Sequence, residues 1–181
     1  MRSATVGVVV LVHKDLSRSA QAVRHWAEAG CAVVVHVDRA VTPSNHDRFL
    51  RDLSDLQQVK FCARQRCEWG TWGIVAASQS ACEMMLADFA DLNHIYLASG
   101  SCLPIRPVED LIAYLRARPD TDFIESATVS DVPWSIGGLH KERFHLHFPF
   151  VWKRQRWLFD LSVRIQLSLI HISEPTRPYW I

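Results

Sequence analysis

From residue 5 to residue 125, short and dense apolar runs alternate with longer stretches whose apolar positions recur at helical spacing. The first run, 5–12, is almost continuously apolar, as suits a strand covered on both faces. Residues 17–29 carry Ala20, Val23 and Ala27 with apolar neighbours and then meet Gly30, which predicts a helix closed by a glycine cap. The same pattern predicts strands over 31–37, 59–62, 94–98 and 122–125, and helices over 43–53, 72–89 and 108–117. Strand and helix alternate as in successive βαβ units. The expected fold class is therefore α/β, a mainly parallel Rossmann-type sheet flanked by helices. No repeat, low-complexity tract or Gly/Pro/Ser linker interrupts it.

Composition narrows the function classes. A chain of 181 residues with 49% hydrophobic positions suits one domain, or part of one, with ample material for a core. Its 20 Lys+Arg and 19 Asp+Glu leave a formal charge of +1, so no overall field recruits nucleic acid or an anionic membrane. No nucleic-acid partner is expected, and an anionic ligand must be gripped locally. The apolar run after Met1 and Arg2 ends at His13-Lys14-Asp15 without a small-residue cleavage site, so it reads as a strand and not a signal peptide. No stretch reaches the roughly 18 to 20 apolar residues of a membrane span. The expected location is the cytoplasm, free or peripheral at a membrane. The five cysteines are odd in number and sit mostly in apolar segments, which suits reduced thiols packed as small hydrophobes. Cys62 and Cys67 lack a second Cys/His pair at finger spacing, so no metal site is expected.

The C-terminal stretch 167–178, LSLIHISEPTRP, is the translation of a transposase adapter used in preparing sequencing libraries. Residues 167–181 are therefore expected to be adapter read-through, with native sequence over 1–166. As native protein, the Glu-Pro-Thr-Arg-Pro composition would instead make an irregular tail.

In a doubly wound sheet, ligands bind at the carboxyl ends of the strands. Polar clusters follow four of the predicted strands: His13-Lys14-Asp15, Asp38-Arg39, Ser99-Gly100-Ser101 and Glu125-Ser126. Each alone is an ordinary polar loop; together they outline a ligand crevice. The dinucleotide G-x-G-x-x-G turn and the phosphate-binding G-x-x-x-x-G-K-[ST] loop are both missing, and no Asp-x-Asp pair follows a central strand to clamp a metal-diphosphate. A sugar-nucleotide enzyme built this way would need basic side chains to neutralise the diphosphate.

The order of motifs over residues 5 to 150 resembles the core-2/I-branching β-1,6-N-acetylglucosaminyltransferase family, which also contains peptide O-xylosyltransferases. A first strand ends Val10-Leu11-Val12-His13-Lys14-Asp15, and a second ends His36-Val37-Asp38. Arg66-Cys67-Glu68-Trp69-Gly70 enters a helix, and Ser99-Gly100-Ser101-Cys102-Leu103-Pro104-Ile105 matches a Ser-Gly-x-Asp-x-Pro-Ile segment. The likeness is greatest to a bacterial branch.

The resemblance implies a GT-A-like fold and metal-independent inverting transfer, of N-acetylglucosamine or xylose, from a UDP-sugar to a glycan or other hydroxyl acceptor. No cofactor is implied beyond that donor. Donor binding falls to His13, Asp38, Arg66, Trp69, Gly70, Ser99 and Gly100. A carboxylate at Asp38 suits a uracil N–H or ribose hydroxyls, although an aspartate there also suits a turn or helix cap, and Trp69 also suits a core. Acceptor contacts fall to Glu125, Trp134, Lys141 and Arg143, a stretch that equally suits a solvated charged loop. The motif's aspartate is replaced by Cys102, whose thiol cannot supply a carboxylate's two acceptors. The family's catalytic glutamate and diphosphate-binding cations are expected beyond Gln166, so no catalytic residue is assigned and the chain is expected to be an inactive, C-terminally truncated fragment. The competing readings are a non-catalytic carbohydrate-binding module and an unrelated nucleotide-binding α/β domain.

Overall fold

The structure, a computed structural model, describes residues 6–68, 71–124, 146 and 155–173, with side chains through Leu169. Strands β1 (Val6–Val12), β2 (Ala32–Val37), β3 (Val59–Phe61) and β4 (His94–Ser99) form one sheet in the order β3-β2-β1-β4. Every pairing is parallel: Val8 lies opposite Val33 and Tyr96, and Val35 opposite Phe61. Helices α1 (Leu16–Glu28), α2 (Pro43–Asp52) and α3 (Trp72–Asp88) are the crossovers, followed by α4 (Val108–Arg116). The chain thus adopts the expected α/β class, with a helix-flanked parallel sheet consistent with a GT-A-like arrangement. It divides into two compact units, 1–122 and 123–181, and the sheet belongs to the first.

Strand alternation sends successive side chains to opposite faces. Val6, Val8, Val10 and Val12 of β1 and Val33, Val35 and Val37 of β2 pack with Val23, Trp26 and Ala27 of α1, Phe49 of α2, and Val108 and Leu115 of α4. Val9, Ala32 and Val34 on the other face meet Ala81 and Met85 of α3. Both faces are covered, which is why the two central strands are continuous apolar runs. Each fully buried valine contributes roughly 1.5–3 kcal/mol relative to exposure. On the covered face, Arg24 of α1 also grips Asp55 beyond α2 through two N–H···O contacts of 2.6 and 2.8 Å.

Local chemistry sets the helix ends. Gly30 follows α1 at φ 88°, a left-handed conformation that costs an L side chain but not glycine. Pro43 opens α2 where its missing N–H is harmless, and Thr71 caps α3 by accepting the Gly73 N–H at 3.4 Å.

The strand expected over 122–125 does not form over its described part. Residues 121–124 are irregular and exposed, and Glu125 lies outside the described residues. The Thr121 carbonyl is met by the His94 side chain at 3.2 Å, and its N–H donates to the Arg118 carbonyl, so neither joins a ladder with β4. A short segment with only Phe123 and Ile124 as apolar positions has no reason to extend without a ladder.

In the second unit, α5 runs Arg156–Ser173. It continues past Gln166, because Leu167, Leu169 and their neighbours suit a helix as well as the preceding sequence does. Residues 174–178 of the expected irregular tail lie outside the described residues. No helix among the described residues is long and apolar enough to cross a membrane. All five cysteines are free thiols: Cys31 and Cys62 are buried, whereas Cys102 is exposed on the loop after β4 and not packed as a small hydrophobe.

Candidate functional site

The chain builds outward from β1 to β2 and β3, then returns through α3 to lay β4 on the other side of β1. Where strand order reverses, the flanking loops diverge and leave a crevice at the carboxyl ends. A cavity of about 390 Å³ occupies that position, lined by Leu11, Val12 and His13 from β1 and its loop, and by Leu97, Ala98 and Ser99 from β4. His36 and Asp38 from β2, Cys67 after β3, and Ile74 and Ser78 of α3 complete it. Its walls are mainly apolar, and the polar groups among them come from His13, His36, Asp38, Cys67, Ser78 and Ser99.

Asp38 supplies the strongest of these. It is 4% exposed, and each carboxylate oxygen accepts a backbone N–H: Oδ1 from Ala40 at 2.7 Å and Oδ2 from Cys67 at 3.2 Å. The turn-forming role considered for this aspartate is therefore realised, and the residue still lines the cavity. A carboxylate has about four acceptor positions, so two remain for a ligand. The Asp38 carbonyl also accepts from Arg64 Nη2 at 2.9 Å, and Arg64 bonds the Val41 carbonyl too, fastening the loop after β2.

His36 and Cys67 were not selected from the sequence, yet both face the cavity. His36 is 1% exposed and its Nε2 accepts the Gln65 N–H at 2.9 Å, so the imidazole is neutral with its proton on Nδ1. Burial pushes its pKa below the ordinary value; the Asp38 charge opposes that shift and Arg64 adds to it. Burial raises the Cys67 thiol, with the Asp38 charge reinforcing it, and Sγ lies 3.4 Å from the Gly73 carbonyl as a donor. The available signals for His36 were its place in the His36-Val37-Asp38 motif and a polar residue in an otherwise apolar strand. Ile74 and Ser78 share one face of α3 by their i,i+4 spacing, but sequence does not say what that face meets.

The other expected donor residues fall at different distances from this centre. His13 is exposed at the rim, lining both the cavity and an adjoining cleft of about 480 Å³ that also includes Lys14 and Arg48. Ser99 lines the cavity directly. Gly100 is buried behind it, its N–H donating to the Leu11 carbonyl at 3.0 Å. A Cβ there would come within 2.8 Å of Ser19 Oγ and 2.9 Å of Val12 Cγ2, so only glycine lets the loop approach β1 this closely. Arg66 is exposed and does not line the cavity; its carbonyl lies against Gly73, where a Cβ would approach to 2.6 Å. Trp69, Gly70, Glu125, Trp134, Lys141 and Arg143 lie outside the described residues. Among the described residues, no group of three or more His, Cys, Asp or Glu side chains is placed to hold a metal ion.

The family described as Core-2/I-Branching enzyme matches residues 9–168, a span that contains every wall of the cavity. The chain belongs to the core-2/I-branching enzyme family. No curated protein sequence matches it. Family membership implies glycosyltransferase activity, with a nucleotide-sugar donor and a glycan acceptor. The geometry suits that chemistry. The cavity combines apolar walls with the carboxylate of Asp38 and the hydroxyl of Ser99.

Proposed function

We propose that the switch-point cavity holds the uridine end of a UDP-sugar, and that the parent enzyme transfers N-acetylglucosamine or xylose with inversion to a hydroxyl acceptor, without a metal. The observation that carries this reading is the placement of Asp38, at 4% exposure, at the carboxyl end of β2, where it lines the cavity with acceptor capacity beyond its two backbone bonds. Inversion requires a base that takes the acceptor's proton as it attacks the anomeric carbon. No side chain lining the cavity is assigned that role. In this reading the base and the cations that hold the departing diphosphate are encoded elsewhere in the parent, and residues 167–181 are adapter sequence. The identity of 167–178 with the translated adapter supports the latter.

Calorimetric titration with UDP tests the site. The chain should bind UDP, and Asp38→Ala should weaken binding by about 1.5–3 kcal/mol, the scale of a hydrogen bond to a charged group. Unchanged affinity in a folded Asp38→Ala protein removes Asp38 from the site. Because that change also strands the Ala40 and Cys67 N–H groups, its fold must be checked by circular dichroism.

A further inference from the structure

The segment after β3 does not continue the sheet, yet it is fastened to the end of β2 as tightly as a strand. The Cys62 N–H donates to the Val35 carbonyl at 3.1 Å. Beyond it, side chains join the backbone in holding the segment. Gln65 gives its N–H to His36 Nε2 at 2.9 Å, while its carbonyl accepts the Arg39 N–H at 2.9 Å. Two residues on, the Cys67 N–H donates to Asp38 Oδ2 at 3.2 Å. His36 thus stands where a ladder carbonyl would stand, in a strand whose other five residues are alanine and valine. It holds the wall that carries Cys67 into the cavity.

An imidazole can do this only while Nε2 keeps its lone pair; protonation turns the acceptor into a second donor facing the Gln65 N–H. Resting on the reading that the cavity takes a nucleotide, we propose that His36 is a positioning residue whose unprotonated Nε2 pins Gln65–Cys67 as the cavity wall, so that protonating His36 releases the wall and weakens nucleotide binding. Among the described residues, the charged and titratable groups around it are the Asp38 carboxylate, the Arg64 guanidinium, the Cys67 thiol and, at the cavity rim, His13. The lining residues of α3 and β4, Ile74, Ser78, Leu97, Ala98 and Ser99, carry no charge. Burial lowers the pKa of the ring, so the release lies on the acid side of the ordinary histidine value of about 6.5.

The test uses the whole chain and two variants. His36→Gln keeps an acceptor oxygen at about the reach of Nε2 that no accessible pH removes; His36→Leu keeps the bulk and offers none. UDP affinity by calorimetry and amide exchange at Gln65–Cys67, corrected for intrinsic rates, are followed from about pH 8 to pH 5. The wild type should lose roughly tenfold in UDP affinity as pH falls, with amide protection lost in step. His36→Gln should hold both, and His36→Leu should lack both throughout. Ionisation of the diphosphate affects wild type and His36→Gln alike and cancels in the comparison. Parallel pH profiles for these two proteins overturn the proposal, as does full protection in a folded His36→Leu. Absence of UDP binding by the wild type at every pH overturns the nucleotide reading instead, and the amide protection then decides the clamp by itself.

Discussion

At the scale of single residues, the site is built from groups that each serve the fold and the ligand at once. Asp38 ties two loops together with the same carboxylate that faces the cavity, so its substitution has two separable costs. Asp38→Asn keeps the Oδ1 acceptor for Ala40 but turns an amide N–H₂ toward the Cys67 N–H. It should therefore destabilise less than Asp38→Ala while still weakening UDP binding, as urea unfolding and calorimetry on the same samples will reveal. Gly100 does not line the cavity, yet Gly100→Ala forces a methyl against Val12 Cγ2 and the Ser19 hydroxyl. A loss of about 1–3 kcal/mol in urea unfolding is expected, and an unaltered midpoint would mean the loop after β4 yields freely.

Among the elements, α3 matters most for the cavity, because among the described residues it covers that face of the sheet and supplies Ile74 and Ser78. Its anchor is Met85, fully buried against Val9 and Val34, with Sδ close to Gly7. Met85→Ala should cost about 2–5 kcal/mol, the range for emptying a large buried aliphatic site. If α3 also positions the cavity wall, UDP affinity should fall in the same variant under conditions where it remains folded. β4 poses the opposite case: it pairs only with β1 among the described residues, and Tyr96 and Leu97 are 44% and 56% exposed. An unpaired edge with apolar side chains favours association between chains.

For the molecule as a whole, the buried neutral histidine makes stability depend on pH. A histidine whose folded pKa is depressed binds fewer protons when folded than when unfolded. Its contribution is therefore fully present above the unfolded value of about 6.5 and is lost as pH falls toward the folded value. Urea midpoints should decline across that acidic window in the wild type and decline less in His36→Gln. Removing 167–181 shortens α5 but takes away no residue that lines the cavity. The shortened chain should bind UDP as the whole chain does, and neither should transfer sugar in a UDP-release assay. A parent carrying uninterrupted native sequence after Gln166 should transfer, with activity unaffected by EDTA. Turnover by the 181-residue chain itself would defeat the assignment of the base to other sequence.

Apolar runs and helical spacing were enough to place β1 to β4 and α1 to α4 within a residue or two, because strands covered on both faces and amphipathic crossovers leave strong local patterns. The strand-end positions of His13, Asp38 and Ser99 were legible for the same reason: a parallel sheet puts its polar punctuation at the carboxyl ends. What the local pattern could not carry was anything decided by pairing across the sheet. The run 122–125 looked like a strand, but a strand exists only with a ladder, and residues 121–124 have none. Arg66 sat in the right motif, yet its backbone was turned so that Cys67, and not the arginine side chain, reached the cavity. His36 was a lone polar letter in a valine strand until the fold brought Gln65, distant in sequence, within 2.9 Å of its Nε2. Sequence determined which residues were available at the strand ends; tertiary structure decided which faced the cavity and which held its walls, because hydrogen-bond partners far apart in the chain meet only once the sheet has formed.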